Sequence, residues 1–276
     1  MPRPCLISSS FVGAPTSPEI VLCCCCTSIF RPWWRDSFRC GRQISVGLDL
    51  LGLLFFLAPL PQSSNGLLTR SGKTSLLFQF AFNSVSERDS GNGKVVFICN
   101  RRRLESKPPF LSQGIDPSSD VFRRIEMKYV DDEEGVKKYF AAFHLYDKFP
   151  RTVIIDDFGD LFDERNCQER YSNPRGRDLA MVRVLALCHN AITHANETGP
   201  CDLLLSDTHH GESPRLLYIY KRWISSIYAI KGDGSGSFLL KNNVYGSALS
   251  ERTRTAKYSI ALQYLVLEGI SDDEDQ

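Results

Sequence analysis

Five consecutive residues, Ser71, Gly72, Lys73, Thr74 and Ser75, carry the first chemistry in this chain. They stand before an apolar helical pattern of Leu76, Leu77, Phe80 and Ala81. Successive backbone N–H groups at a helix N-terminus converge on an anion, so a small-residue turn opening such a helix can cradle phosphate. Lys73 would reach the outer phosphates, and Thr74 would place its hydroxyl on a magnesium ion. The full phosphate-loop template, G-x-x-x-x-G-K-[ST], needs its first glycine at position 67. That residue is Leu67, and Gly66 lies one place too early. Read by itself, the run could also be an ordinary capped helix with an exposed lysine.

A second group strengthens the phosphate reading. Thr152-Val153-Ile154-Ile155-Asp156-Asp157 is an apolar run ending in two carboxylates. In a parallel sheet, a strand's carboxyl end faces the phosphates, where an acid can hold the magnesium shell. Asp156 is the metal-shell candidate beside Thr74, and Asp157 is the candidate for positioning water. A third apolar run, Asp202 to Asp207, is followed by Thr208-His209-His210. A polar group there could sense a γ-phosphate, although a turn with two surface histidines explains it as well. Adjacent histidines point in different directions and no third ligand is placed, so a zinc site is not expected.

Composition sets the frame. The 276 residues suffice for one sizeable α/β domain, and the hydrophobic share of 42% provides a core. A formal net charge of +1 means that attraction to nucleic acid would have to come from local basic patches. Four of the ten cysteines are consecutive, Cys23 to Cys26, and no C-x-x-C pair lies outside that run. The spacing therefore argues against a disulfide framework, and Cys99, Cys188 and Cys201 read as small buried residues in a reducing compartment.

The elements that must position these groups follow in order. Residues 1–65 read as a poorly ordered or atypical N-terminal segment, in which Arg3, Arg31, Arg35, Arg39 and Arg42 stand against only Glu19 and Asp36 up to position 45. That bias suggests an organellar transit peptide, while the lack of a clean strand before the phosphate loop suggests a start that is not the natural one. The apolar run Leu48–Leu60 is shorter than the roughly 20 residues a membrane span needs, and Val46–Leu57 could supply a strand before the phosphate loop. From position 66 the pattern is regular. A helix follows the loop, then a polar loop from Ser84 to Lys94, then the apolar run Val95–Cys99, expected as a buried parallel strand. Asn100–Pro109 reads as a basic loop with Arg101, Arg102 and Arg103. Phe122–Tyr129 reads as a short strand, Asp131–Phe149 as a helix, Phe158–Arg177 as a charged loop, and Asp178–Ala195 as a helix. Three strands are expected at Ile224–Lys231, Ser237–Lys241 and Lys257–Leu267, with a hairpin turn at Asp233-Gly234-Ser235-Gly236 and a mobile basic loop at Tyr245–Lys257. The acidic stretch 271–276 reads as a solvated tail.

Alternating strands and helices with a phosphate loop imply an α/β fold, a mostly parallel doubly wound sheet with a C-terminal antiparallel extension. The absence of an Asn-Lys-x-Asp motif argues against a guanine nucleotide. The order of Ser71–Phe82, Val95–Cys99, Val153–Asp157, Leu203–Asp207 and the strands after Arg222-Trp223 resembles the RecA-like P-loop ATPase core of RecA-type recombinase paralogues over about residues 66 to 270. Within that group it is most similar to the small ATPases that partner SWIM-type zinc-finger proteins in Shu complexes, in a plant-like version. The resemblance implies binding of ATP and of single-stranded DNA, a SWIM-type zinc-finger protein and a RecA-type recombinase as partners, and a role in homologous recombination and DNA repair in the nucleus; the Thr74 and Asp156 pattern adds Mg2+, and the short apolar run gives no expectation of a membrane.

Carried onto this chain, Lys73 and Thr74 match the phosphate-loop lysine and hydroxyl, and Asp156 matches the second-motif aspartate. Lys73 and Asp157 are the catalytic candidates, Ser71 to Ser75 the nucleotide-binding ones, and Thr74 with Asp156 the metal-binding ones. Where recombinases carry a glutamate just past the second strand, this chain has Asn100-Arg101-Arg102. Hydrolysis should therefore be weak unless Glu105 or Asp157 substitutes. The alternative is a small-molecule or nucleoside kinase with Arg165, Arg170, Arg175 and Arg177 as a lid, and a third reading is a binding module without turnover.

Overall fold

The computed structural model describes residues 53–57, 71–86, 93–208, 214–242 and 253–273. Gly66 and Leu67, at the start of the phosphate-loop template, lie outside the described residues, as do His209, His210 and the stretch 243–252.

The protein is α/β, with a four-stranded parallel sheet and a second, largely antiparallel one. The elements in chain order are β1 (Leu53–Leu57), α1 (Lys73–Ser86), β2 (Val95–Cys99), α2 (Arg101–Ser106), β3 (Ile125–Tyr129), α3 (Glu133–Ala141), β4 (Thr152–Ile155), α4 (Asp160–Asp163), α5 (Arg165–Arg170), α6 (Pro174–Asn196), β5 (Asp202–Thr208), α7 (Pro214–Trp223), β6 (Ser226–Gly232), β7 (Ser237–Asn242), β8 (Thr253–Ala261) and β9 (Tyr264–Asp273). The parallel sheet has the order β3-β2-β4-β5, and the other has the order β1-β6-β7-β8-β9. Only β1–β6 is parallel in the second sheet. β1 also lies beside β5, so the two sheets adjoin.

Continuous apolar runs form the centre because strands covered on both faces have no wet side. Every residue of β2 and β4 is buried, as are Leu203 to Asp207 of β5. Helix α1 turns Leu77, Phe80, Ala81 and Val85 inward at spacings of three and four, joining the same core. Cys99, Cys167, Cys188 and Cys201 are free and buried, and burial pushes the Cys99 and Cys201 thiols up to about 12. Among the described residues, no helix is long and apolar enough to cross a membrane.

Several boundaries differ from the sequence reading, and most differences have a local cause. The basic segment after β2 is a helix, because the Asn100 side chain caps it by accepting from the Arg103 backbone N–H. The segment 158–177 contains α4, α5 and the first turn of α6, which begins with Asn173 as cap and Pro174 just inside. Helix α3 is shorter than expected and is followed by a 3-10 turn, Phe143–Leu145. A second 3-10 turn, Asp120–Arg124, occupies the front of the expected strand before β3. The alternating stretch 257–267 is a hairpin, not one strand: Leu262 and Gln263 take positive φ, 51° and 66°, without a glycine to announce the turn. Thr253 to Lys257, expected in a basic loop, belong to β8, and Ser271 to Asp273, expected in the tail, continue β9 and pair with Thr253 to Thr255.

Candidate functional site

The site forms where α1 begins and where β4 and β5 end. Gly72 has φ +65°, a left-handed conformation that favours glycine, and a Cβ there would stand 2.5 Å from Ile260 Cδ1. The first backbone bond of α1 runs from Leu76 N–H to the Gly72 carbonyl, 2.9 Å. The preceding amides, Lys73 to Ser75, are the donors that a helix start leaves without intrahelical partners. The turn is held from the antiparallel sheet, where the Tyr258 hydroxyl donates to the Ser71 carbonyl over 2.8 Å.

Lys73 is buried, and its ammonium meets the Asp157 carboxylate and the Thr208 hydroxyl, the latter at 2.8 Å. Burial alone would lower its proton affinity, but the charges of Asp157, Asp156 and Asp207 outweigh that and keep it protonated. Thr74 Oγ1 donates to Asp156 Oδ2 over 2.7 Å, and Ser206 Oγ donates to Asp156 Oδ1 over 2.6 Å. Burial, then the neighbouring Asp157 charge, raises Asp156 to about 6. For Asp157, burial works upward but is outweighed by the Lys73 charge, so its carboxyl titrates below the ordinary range. Asp157 also has positive φ, 53°, in the turn leaving β4, where its N–H donates to Ser206 Oγ over 2.9 Å.

Behind this pair sits a third carboxylate. Asp207 is buried at the end of β5 and accepts from Gly159 N–H at 3.2 Å, Thr208 N–H at 2.7 Å and the Tyr220 hydroxyl at 2.6 Å. Burial pushes it up to about 7, against the pull of the Tyr220 hydrogen bond and the Lys73 charge.

The expected residues are brought together across long sequence separations: Ser71, Gly72, Lys73 and Thr74 from one segment, Asp156 and Asp157 from another. Ser75 is buried and its hydroxyl accepts from Phe110 N–H at 2.9 Å, which commits the side chain to the 107–119 loop. Glu105 is exposed on α2, paired with Arg101 at 2.7 Å, whose guanidinium lies 5.5 Å from the Tyr129 ring centre. Of the lid candidates, Arg165 pairs with Glu169, Arg170 with Asp132 and Glu133, and Arg177 with Asp163, while Arg175 is exposed in the first turn of α6. Nothing local in the sequence marks Tyr220, Tyr258 or Ile260 for the site, since they reach it from α7 and β8.

No protein-family model and no curated protein matches this chain.

Magnesium fits the donor set. Thr74 and Asp156 offer hard oxygens 2.7 Å apart, and such an ion takes only one or two protein ligands and completes its shell with phosphate and water. Among the described residues, no group of three or more His, Cys, Asp and Glu side chains is arranged to hold a metal.

Proposed function

We propose that the chain binds ATP with magnesium through a RecA-like P-loop site and serves as an accessory factor of homologous recombination and DNA repair. The observation that carries the nucleotide part is the joining of Lys73 and Thr74 to Asp157 and Asp156 at the carboxyl ends of parallel strands. A helix start, a buried cation and a carboxylate–hydroxyl pair converge there, which is the set a triphosphate requires. The α1 amides and Lys73 would bind phosphate oxygens, and Thr74 with Asp156 would hold the ion. When bound, magnesium would neutralise charge developing on those oxygens.

Turnover in this reading is weak. The position after β2 is Asn100, whose side chain caps α2, and Glu105 is spent on Arg101. Asp157 is the remaining acid beside Lys73, and its pairing with that lysine makes it a poor base. Against the kinase alternative stands Arg170, which is tied to Asp132 and to the buried Glu133 and so is not free to swing as part of a lid.

The recombination role, the nuclear location, the SWIM-type zinc-finger and recombinase partners and single-stranded DNA binding rest on the resemblance in the order of the motifs. On α2, Arg102 is exposed while Arg101 and Arg103 are paired with acids.

The test is titration of a fluorescent ATP analogue with magnesium into the wild type and Lys73→Ala, with hydrolysis measured with and without single-stranded DNA. Binding by the wild type, lost in Lys73→Ala, is expected. No binding by the wild type would refute the nucleotide reading, and DNA-independent phosphorylation of a small acceptor would refute the recombination reading.

A further inference from the structure

Asp157 stands between two cations. One is Lys73, which it touches; the other is Arg103, which pairs with Asp160 in the turn that Asp157 opens. Arg103 reaches across from α2 to the segment that follows Asp157, pairing with Asp160 and, at 2.9 Å, with Glu164 Oε1. Asp160 belongs to the same turn as Asp157, since its N–H donates to the Asp157 carbonyl over 3.1 Å. Arg103 is thus anchored at the rim of the site, with its side chain 43% exposed, while the Asp157 side chain is 24% exposed.

A phosphate arriving at Lys73 competes with Asp157 for the same ammonium. A half-buried carboxylate stripped of its cation is destabilised and would also repel the incoming anion. A guanidinium has five N–H donors, so two acid partners do not exhaust it. We propose that Arg103 is the positioning residue that takes over Asp157 when a phosphate takes Lys73. The inference rests on the nucleotide reading above. It gives the arginine after β2 a defined role, drawing Asp157 aside so that Lys73 is released to the ligand.

The experiment is a double-mutant cycle on the full chain, reading affinity for the fluorescent ATP analogue with magnesium, with folding checked by circular dichroism melting. Arg103→Gln should weaken binding about tenfold, the scale of one charge-assisted contact. Adding Asp157→Asn should recover most of that loss, because the repelling charge is gone. The pair Asp160→Asn with Glu164→Gln should leave affinity unchanged or raise it, since it frees Arg103. If Arg103→Gln does not fold, Arg103→Lys, which keeps the charge, replaces it in the cycle with a smaller expected loss. Additive effects of the Arg103 and Asp157 substitutions would overturn the proposal. So would an equal loss from the Asp160 and Glu164 pair, which would make Arg103 a structural tie. A wild type that binds no nucleotide would overturn the nucleotide reading itself, and this inference with it.

Discussion

Replacing Asp207 by Asn should flatten part of the pH dependence of stability. In the folded protein burial holds this carboxyl at about 7, against an ordinary value of 3.8. The folded state therefore keeps a proton that the unfolded chain has lost. Its stabilising contribution is fully present below the ordinary value and is lost as pH rises through about 7. The slope is about 1.4 kcal/mol per pH unit for one proton, so the wild type should lose about 2 to 3 kcal/mol between roughly pH 5 and 8 through this group. An asparagine oxygen can still accept from the Gly159 and Thr208 amides, and its NH2 can donate to the Tyr220 oxygen. The variant thus keeps the contacts and removes only the charge. Urea unfolding at several pH values gives the two curves, and the gap between them should change by about 2 to 3 kcal/mol across that window, in favour of the variant as pH rises. Asp156, raised to about 6, adds a slope of the same sign to both proteins and drops out of the difference. Parallel curves would refute the reasoning.

Substitutions at three further positions probe the frame of the site. Gly159→Ala would drive a Cβ into the buried Asp207 carboxylate, well inside contact distance, so a loss of about 1 to 3 kcal/mol is expected, and an unchanged urea midpoint would contradict it. Thr74→Val leaves Asp156 Oδ2 without its donor, costing about 1 to 3 kcal/mol; Thr74→Ser should retain the stability and the magnesium dependence of nucleotide affinity that Val loses. Tyr258→Phe removes the hydrogen bond to the Ser71 carbonyl and should cost about 1 kcal/mol and weaken nucleotide affinity, with calorimetry and ligand titration as the two readouts.

Much of the scaffold is legible because its signals are local. The strands β2, β4 and β5 are apolar runs between turn residues, and α1 shows helical spacing of Leu77, Phe80 and Ala81. Asn100 opening α2 and Asn173-Pro174 opening α6 are cap signals too, but the charged composition around them reads as loop and outweighs a single capping residue. The β8–β9 turn carries no such signal, because Leu262 and Gln263 adopt positive φ against their own preference. That conformation is imposed by pairing of the two flanking strands.

The candidate groups of the site are legible in the sequence. Lys73, Thr74, Asp156 and Asp157 follow from residue type and position relative to a helix start and a strand end, features that depend only on neighbours along the chain. How those groups are partnered is a matter of the folded molecule. Lys73 is shared between Asp157 and Thr208, Asp156 between Thr74 and Ser206, and Asp207 is fixed by a tyrosine from α7. Many of those partners lie far apart in sequence, and burial then sets the proton affinities, raising Asp156 and Asp207 while Lys73 holds Asp157 down. Solvent exclusion and long-range contact arise only on packing, so no reading of spacing could supply them.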